Sequence, residues 1–453
     1  MRKSLFISFA ILAFASIAVF LILNSKDLFP KPLRIGAYDI GNESRNYAGL
    51  SYDIKERLGL ETEFVELTPL DENANPAEHL MQTIKQSELD MVLGVPNVHI
   101  QQIINADVFA DITDDILELG NIQKSVVDVA LKIGNGKLYF ISPVITECYY
   151  LFENKDLLRE LDMAPVNGFI TWDDFFARLG KIESKLQILG NSEVKPLAMV
   201  VQNEGEEAVF AEDDFFMFGY GLDSPLVYNN KLLGHSKWSD YFLRFSEMIS
   251  KYGSNYSEID QRFIFNTHFS NGNYVASLGG NYQLELYTKD NMKLNDVLPA
   301  KVNLDFELSV SPLPVSAGDE GMLNIRLSSM AISKASKRKA ESLRILNFIL
   351  SKDYAMKMIE HRYEYSNLGA GIPFFPAYFD DETIKRLNEM YDGKFDASLI
   401  YNADRGAVTY PVQDSEKRGL AYRLVSEALA DVFNKKKSGE DALKTLLEGS
   451  FSE

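Results

Sequence analysis

The stretch from residue 139 to residue 182 constrains the fold of this chain more than any other, because it predicts three elements in close succession. Its first third is rich in β-branched and aromatic side chains, which favour a strand, and Asn154 ends that pattern. Residues 155–163 then predict a short helix, and Pro165 and Gly168 mark a loop after it. A strand that leads directly into helices indicates an α/β chain.

A longer helix is predicted to begin after this loop. Thr171 occupies an N-cap position, and Asp174 three residues later gives a carboxylate variant of the capping box. Five apolar residues recur at helical spacing, so one face of the helix is expected to be buried: Trp172, Phe175, Phe176, Leu179 and Ile182. Trp172 is also a candidate platform for a ligand ring, but its place on the apolar face favours core packing.

Strands and helices alternate in the rest of the chain as well. Strands are predicted at residues 33–38, 61–67, 90–94 and 196–201. Helices are predicted within residues 46–60 and at 77–86, 124–133, 213–220, 237–251, 338–350, 420–433 and 440–447. Strand 90–94 is almost continuously apolar, which is typical of a parallel sheet covered on both faces. The β-α-β order up to this strand predicts an α/β lobe with a mostly parallel sheet.

The size and composition of the chain favour two domains. It has 453 residues, of which 46% are apolar, enough to bury more than one hydrophobic core. Its net charge of −19 argues against a nucleic-acid partner or an anionic membrane surface, because phosphate groups are bound by clustered Lys and Arg. The single cysteine, Cys148, cannot form an intramolecular disulfide and is predicted to be a small buried residue.

The N-terminus predicts export across a membrane. Residues 4–23 carry no charge and follow the basic residues Arg2 and Lys3, and about 20 residues of helix span the hydrocarbon core of a bilayer. Because the positive flank stays in the cytoplasm, the rest of the chain is expected outside the cell. A signal peptide cut after Ala15 or Ala18 is one interpretation, and an uncleaved anchor is the other. The apolar run continues past both alanines, which favours the anchor.

The sequence contains none of the short motifs that mark common catalytic and metal sites. The five histidines have no partner at a recognised zinc-ligand spacing, and there is no nucleophile elbow or P-loop. The acidic stretch 204–214 raises the alternative of a calcium loop, but its spacing differs from that of an EF-hand. A solvated loop followed by a helix start is the favoured interpretation. We therefore expect no enzyme activity, no metal and no cofactor.

Two motifs of the stretch 139–182 occur together in a known family. Asn154-Lys155-Asp156-Leu157 is an NKDL-type turn after a strand, and Thr171-Trp172-Asp173-Asp174-Phe175 is a TWDDF-type helix start. In this order and spacing they resemble the extracellular solute-binding proteins of ABC importers, in the carbohydrate-binding branch that includes maltose-binding proteins. Further similar segments are residues 107–113, 269–282, 310–314 and 329–350. Gram-positive members are usually tethered by a lipidated cysteine just after the signal; this chain has none there, so lipoprotein anchoring is ruled out.

The resemblance implies a two-lobed α/β fold of the periplasmic-binding-protein type II kind, with a hinge and a central ligand cleft, here preceded by the N-terminal transmembrane or signal helix. The expected boundaries are residues 1–32 for the anchor and linker, 33–111 and 309–336 for the first lobe, and 112–308 and 337–453 for the second lobe and helical tail. The implied mechanism is hinge closure around a solute, followed by docking on the importer's membrane subunits. A monomer at the outer face of the cell membrane is expected.

Candidate ligand-binding residues lie where predicted strands reach the cleft. Tyr38 and Asp39 follow the first strand, and Asn97 follows strand 90–94. Glu147 lies seven residues before the NKDL asparagine, where maltose-type relatives have a ligand-contacting glutamate. An exposed strand glutamate without contact to ligand is the alternative for this residue. Tyr149 lies on the same predicted strand as Glu147 and is a further candidate.

Two further candidates follow the glycine pair Gly279-Gly280, whose lack of side chains lets a ligand approach the backbone. They are Asn281 and Tyr282, and Tyr282 stands where many sugar binders have tryptophan. A packed aromatic at a helix start is the alternative for Tyr282. Two residues are not included among the candidates. Trp238 follows a loop and its role is undecided, and for Arg326 a surface role is favoured over ligand contact.

These residue types suit a carbohydrate. A sugar offers apolar ring faces to aromatic side chains and a rim of hydroxyls to carboxylates and amides. The resemblance therefore implies capture of a carbohydrate, with an oligosaccharide favoured, and its delivery to an ABC importer. Two alternatives stay open: the same fold binding a non-sugar solute such as a polyamine or a peptide, and a membrane-tethered sensor or interaction protein without transport.

Overall fold

The computed structural model describes residues 31–37, 47–67, 76–96, 104–204, 207–209, 212–219, 222, 224, 226–255, 267–288, 304–360, 375–391, 393–403, 405–407 and 415–449. The strands are β1 (Leu33–Ala37), β2 (Thr62–Glu66), β3 (Met91–Pro96), β4 (Val144–Asn154), β5 (Lys195–Glu204), β6 (Glu207–Val209), β7 (Val227–Tyr228), β8 (Lys231–Leu232), β9 (Gly253–Asn255), β10 (Tyr274–Gly280), β11 (Leu308–Pro312), β12 (Met322–Ile332), β13 (Phe375–Pro376) and β14 (Arg405–Ala407). The α-helices are α1 (Tyr47–Leu58), α2 (Pro76–Gln86), α3 (Lys124–Ile133), α4 (Lys155–Glu160), α5 (Trp172–Ile188), α6 (Glu212–Gly219), α7 (Ser236–Tyr252), α8 (Asn281–Thr288), α9 (Lys339–Ile349), α10 (Lys352–Glu360), α11 (Asp381–Met390), α12 (Ser398–Tyr401), α13 (Ser415–Phe433) and α14 (Gly439–Glu448).

The elements predicted between residues 139 and 182 are confirmed as β4, α4 and α5. The side chain of Asn154 caps α4 and accepts a hydrogen bond from Asp156 N at 3.0 Å. Thr171 Oγ1 caps α5 and accepts from Asp174 N at 3.1 Å. Each cap satisfies an N–H group that has no acceptor inside its own helix. The apolar face of α5 is buried, which confirms core packing for Trp172.

The first sheet is formed by β2, β1, β3 and the C-terminal half of β12. β1 pairs in parallel with β2 and with β3, so Ile35 lies between Phe64 and Met91. β12 adds to β3 in the antiparallel direction and places Ser328 opposite Pro96. The parallel strands are joined by helices α1 and α2, so the predicted βαβ order is confirmed.

The second sheet is centred on the C-terminal half of β4. This half pairs with β10 on one side and β11 on the other, both antiparallel, so Glu153 lies opposite Ala276 and Ser309. β5 continues the sheet beyond β10 in the parallel direction. The N-terminal half of β4 pairs instead with β12, at residues 145–148 of β4 and 325–327 of β12. The pairing of β4 with β12 therefore joins the two sheets into one continuous path of strands.

Side-chain alternation along β4 divides the hydrophobic core. Tyr150 and Phe152 belong to a large cluster that also contains the first sheet and helices α9 to α12. Tyr149 and Leu151 belong to a second cluster, built from helices α4 to α7, α13 and α14. Successive residues of a strand point to opposite faces, so a strand covered on both sides is apolar at nearly every position. This explains the apolar and aromatic composition of β4.

The described helices after residue 337 are divided between the two clusters. Leu346 of α9 and Tyr354 of α10 lie in the large cluster, together with strand β1. Lys357 of α10 also forms an ion pair with the buried Asp53 of α1. Of the described residues in the range 337–453, which was expected in the second lobe, only α13 and α14 pack in the second cluster. The predicted domain boundaries stay predictions.

The predicted anchor at residues 4–23 lies outside the described residues. Across the ranges that the structure describes, no helix is both long enough and apolar enough to cross a bilayer.

Candidate ligand-binding site

Strand ends from both sheets converge where β4 and β12 meet. β3 ends at Pro96, opposite Ser328 of β12. β10 ends at Gly280, opposite Tyr149 of β4. Glu147 of β4 lies between these two strand ends, in the segment that pairs with β12. Because ligands of open α/β sheets bind outside the carboxyl ends of strands, at such changes of strand order, this crossing defines the candidate site.

Glu147 and Asn281, predicted separately, are brought together here. Glu147 Oε1 accepts a hydrogen bond of 2.6 Å from Asn281 N, the first N–H group of α8. Glu147 is only 8% exposed, so its alternative as an exposed strand residue is wrong. A carboxylate at this place also faces the positive end of the helix dipole.

The side chain of Asn281 fixes the start of α8 to β4. Its Oδ1 accepts hydrogen bonds from Cys148 N at 3.1 Å and from the Tyr150 hydroxyl at 2.9 Å. Its Nδ2 donates to Thr146 O at 3.2 Å. Asn281 is 1% exposed, and these partners supply the hydrogen bonds that a buried amide requires.

The polar groups beside Asn281 are protected from water. Burial raises the pKa of the Cys148 thiol and of the Tyr150 hydroxyl well above their ordinary values, so both are neutral at physiological pH. The prediction that Cys148 is a buried residue is confirmed.

Tyr149 packs in the second cluster, beside the crossing. Its ring is 3% exposed and makes an edge contact with Phe218, with 6.0 Å between the ring centroids. Trp238 also lies in this cluster, where its Nε1 donates to Ser224 O at 2.8 Å. Both rings therefore have packing roles, and ligand contact by Tyr149 stays a prediction.

The other predicted residues are placed by the backbone alone or lie outside the described residues. Tyr38, Asp39 and Asn97 lie outside the described residues; in the sequence they directly follow the ends of β1 and β3. Tyr282 lies in the first turn of α8 and Arg326 lies opposite Glu147. The structure describes the backbone of Tyr282 and Arg326 but not their side chains.

Two supporting residues at the crossing carry a signal that the sequence interpretation missed. A Cβ atom at position 280 would overlap Glu147 Oε1. The carboxylate therefore occupies space that is free only because residue 280 is glycine. Gln283 Oε1 accepts from Gly280 N at 2.9 Å, as a capping box does. Glutamine three residues after a glycine was the available signal. Within the described ranges, no group of three or more His, Cys, Asp or Glu side chains is arranged to hold a metal ion.

Comparison with known families agrees with this architecture. The sequence profile of the bacterial extracellular solute-binding protein family matches residues 65–391, and the chain belongs to this family. The family consists of binding proteins rather than enzymes, and its members act outside the cell membrane. A search of curated protein sequences found no match.

Solved structures share the fold over nearly the whole chain. A sugar transporter from Rhizobium etli, in an open conformation, has 13% sequence identity and a TM-score of 0.65, covering 93% of this chain and 99% of its own. The sugar-binding protein of Xanthomonas citri has 17% identity and a TM-score of 0.62, covering 92% and 95%. The cyclic α-maltosyl-1,6-maltose binding protein of Arthrobacter globiformis has 12% identity and a TM-score of 0.58, covering 92% and 97%. At these identities the similarity shows the two-lobed α/β fold alone.

Proposed function

We propose that this protein captures a carbohydrate, in particular an oligosaccharide, between its two lobes and delivers it to an ABC importer. Membership of the extracellular solute-binding family supports the capture of a solute. The structural neighbours from Xanthomonas citri and Arthrobacter globiformis are named for sugar and maltosyl-maltose binding, which supports the carbohydrate class.

The observation that carries the proposal is the meeting of strand ends at Glu147 and Gly280. We place the cleft at this crossing, next to the Gly279–Gly280 backbone, the Glu147 carboxylate and the Asn281 amide, which are all buried in this structure. Sugar hydroxyls are bound by such polar groups, and aromatic rings stack on the sugar faces. The proposed ligand-binding set comprises Tyr38, Asp39, Asn97, Glu147, Tyr149, Asn281 and Tyr282.

Transport then follows from a change in the angle between the lobes. In the described part of the chain, the pairing of β4 with β12 joins the first sheet to the second, so bending at residues 145–148 and 325–327 closes the cleft with few other changes. The closed form docks on the membrane subunits of the importer. We further propose that residues 4–23 hold the protein, as a monomer, at the outer face of the membrane.

A thermal-unfolding screen of the full-length chain in a mild detergent tests the proposal. The panel contains maltose, maltotriose, cellobiose, xylobiose, spermidine and trialanine. A ligand at 100 times its dissociation constant adds about 2.7 kcal/mol of stability. The unfolding entropy of 453 residues is about 0.9 kcal/mol per kelvin, so the midpoint should rise by about 3 °C.

Matched variants separate a specific site from a general effect. Glu147→Ala and Tyr282→Ala should at least halve the sugar-induced rise, whereas Glu160→Ala, at an exposed position of α4, should keep it. A rise with spermidine or trialanine alone would contradict the carbohydrate class and keep solute binding. No rise with any compound would favour the sensor or interaction protein.

A further inference from the structure

We propose that Glu147 acts as a positioning residue: it holds the start of α8 against β4 and thereby fixes the glycine pair at the edge of the cleft. This inference rests on the proposed function, because the edge that it positions is the one that would receive the solute. It assigns Glu147 a task that differs from direct recognition of a sugar hydroxyl.

The carboxylate of Glu147 is buried against the start of α8. Glu147 Oε1 accepts from Asn281 N at 2.6 Å, and the residue is 8% exposed. The bond ties the first residue of α8 to a strand that belongs to both sheets. Movement of this carboxylate therefore moves the start of the helix.

The side chain of Asn281 is in turn hydrogen-bonded to β4. Asn281 binds β4 through its side chain at Thr146 O, Cys148 N and the Tyr150 hydroxyl, at 3.2, 3.1 and 2.9 Å. Together with the Glu147 bond, these contacts form a clasp between β4 and α8, which we call the β4–α8 clasp. All its members are buried to more than nine-tenths except Thr146, which contributes backbone.

Gly280 leaves the space that the Glu147 carboxylate occupies. A Cβ atom at position 280 would overlap Glu147 Oε1 and lie 3.4 Å from Tyr149 Cε1. The carboxylate sits at the end of a flexible side chain, so it would be displaced and would lose Asn281 N. The Gly280→Ala substitution thus opens the clasp while the glutamate stays in the sequence.

The two roles of Glu147 require different chemistry. A positioning role requires an acceptor at Oε1, which glutamine retains. Direct recognition through charge requires the carboxylate, because hydrogen bonds to charged groups are the stronger ones. Glu147→Gln therefore distinguishes the roles, and Glu147→Ala removes both.

The experiment measures two quantities on the full-length chain and its variants Glu147→Gln, Glu147→Ala, Gly280→Ala and the Glu147→Ala/Gly280→Ala double variant. The first is amide hydrogen exchange of residues 276–288 without ligand. The second is the dissociation constant for the panel oligosaccharide, among maltotriose, cellobiose and xylobiose, that the wild type binds. Gly120→Ala is the matched control, since a Cβ atom there meets no neighbour within 4 Å.

Loss of a buried hydrogen bond should speed exchange in α8 and weaken binding by about tenfold in both Glu147→Ala and Gly280→Ala. The double variant should be no worse than either single one, because both remove the same contact. Glu147→Gln should exchange α8 at the wild-type rate and bind the sugar more tightly than Glu147→Ala, since the Oε1 acceptor is retained.

Two results overturn the inference. One is Glu147→Gln binding as weakly as Glu147→Ala while exchange in α8 stays at the wild-type rate, which assigns the carboxylate to the ligand. The other is wild-type exchange of α8 in Gly280→Ala, which shows that the clasp does not hold the helix. If the wild type binds none of the three sugars, the proposed carbohydrate function fails, and the exchange data alone support or overturn the clasp.

Discussion

Replacing Arg178 with alanine should strongly destabilise the protein, because its partner would be left as a buried carboxylate. Glu153, at the end of β4, is 1% exposed and accepts from Arg178 Nε at 2.7 Å. Its other oxygen accepts from Val166 N at 2.7 Å, and Arg178 Nη2 donates to Ala164 O at 2.6 Å. The pair thus joins β4, α5 and the loop between α4 and α5.

The magnitude follows from the geometry. Removing one partner of a buried ion pair costs about 3–5 kcal/mol, since the remaining charge is desolvated without compensation. With an unfolding entropy of about 0.9 kcal/mol per kelvin for a chain of 453 residues, the midpoint should fall by about 3–6 °C. Thermal unfolding followed by circular dichroism at pH 7 measures this shift.

The pH dependence gives an independent check. Burial raises the pKa of Glu153, and Arg178 opposes this rise, so the pKa of Glu153 should be higher still in Arg178→Ala. A carboxyl whose pKa is raised on folding binds its proton more readily in the folded state, so the cost of burying it is relieved as the pH falls through that pKa. The destabilisation should therefore be smaller at pH 5 than at pH 7.

Arg386→Ala is the matched control, because Arg386 is half-exposed and pairs with Glu389 on the surface of α11. It should change stability by less than about 1 kcal/mol. An Arg178→Ala loss as small as this control, or one that is the same at pH 5 and pH 7, would refute the reasoning.

Two further predictions concern charge and reactivity. Hydrogen bonds from Thr113 and the ammonium of Lys137 lower the pKa of Asp111 to about 2 from 3.8, so its stabilising effect should be complete above about pH 5 and lost as the pH falls through about 2. The difference in urea midpoint between wild type and Asp111→Asn should accordingly be constant from about pH 7 to pH 5 and shrink towards pH 2; an unchanged difference at pH 2 would contradict this assignment. Cys148 should react with Ellman's reagent only after unfolding in urea, because burial raises the pKa of its thiol and excludes the reagent. Rapid labelling of the native protein would show that the crossing opens.

Local signals in the sequence predicted the local parts of the fold. The Thr171 cap depends on residues within one helical turn, and its hydrogen bond to Asp174 N is formed as expected. Strand β4 was likewise predicted from its β-branched and aromatic composition. In contrast, the sequence did not show which core covers α9. An amphipathic helix predicts that one face is buried, but not which of two apolar cores covers it.

The candidate site was predicted residue by residue, but not as an arrangement. Glu147 and Asn281 were both selected, yet their hydrogen bond joins residues 134 positions apart in the chain. That contact depends on the antiparallel pairing of β4 with β10, which no local pattern specifies. The same holds for Gly280, whose importance lies in the space that it leaves for another strand's side chain.

The sequence separation inside the large core has a consequence for biosynthesis. Asp53 and its ion-pair partner Lys357 are 304 positions apart, and the strands made first share a core with helices made much later. Contacts between such distant residues form slowly, because a long loop must close before they stabilise the fold. While the ribosome is still making the chain, its first strands therefore have no complete core. An unfinished core of this kind delays stable folding, and a chain that has not yet folded is the form that can be threaded across a membrane.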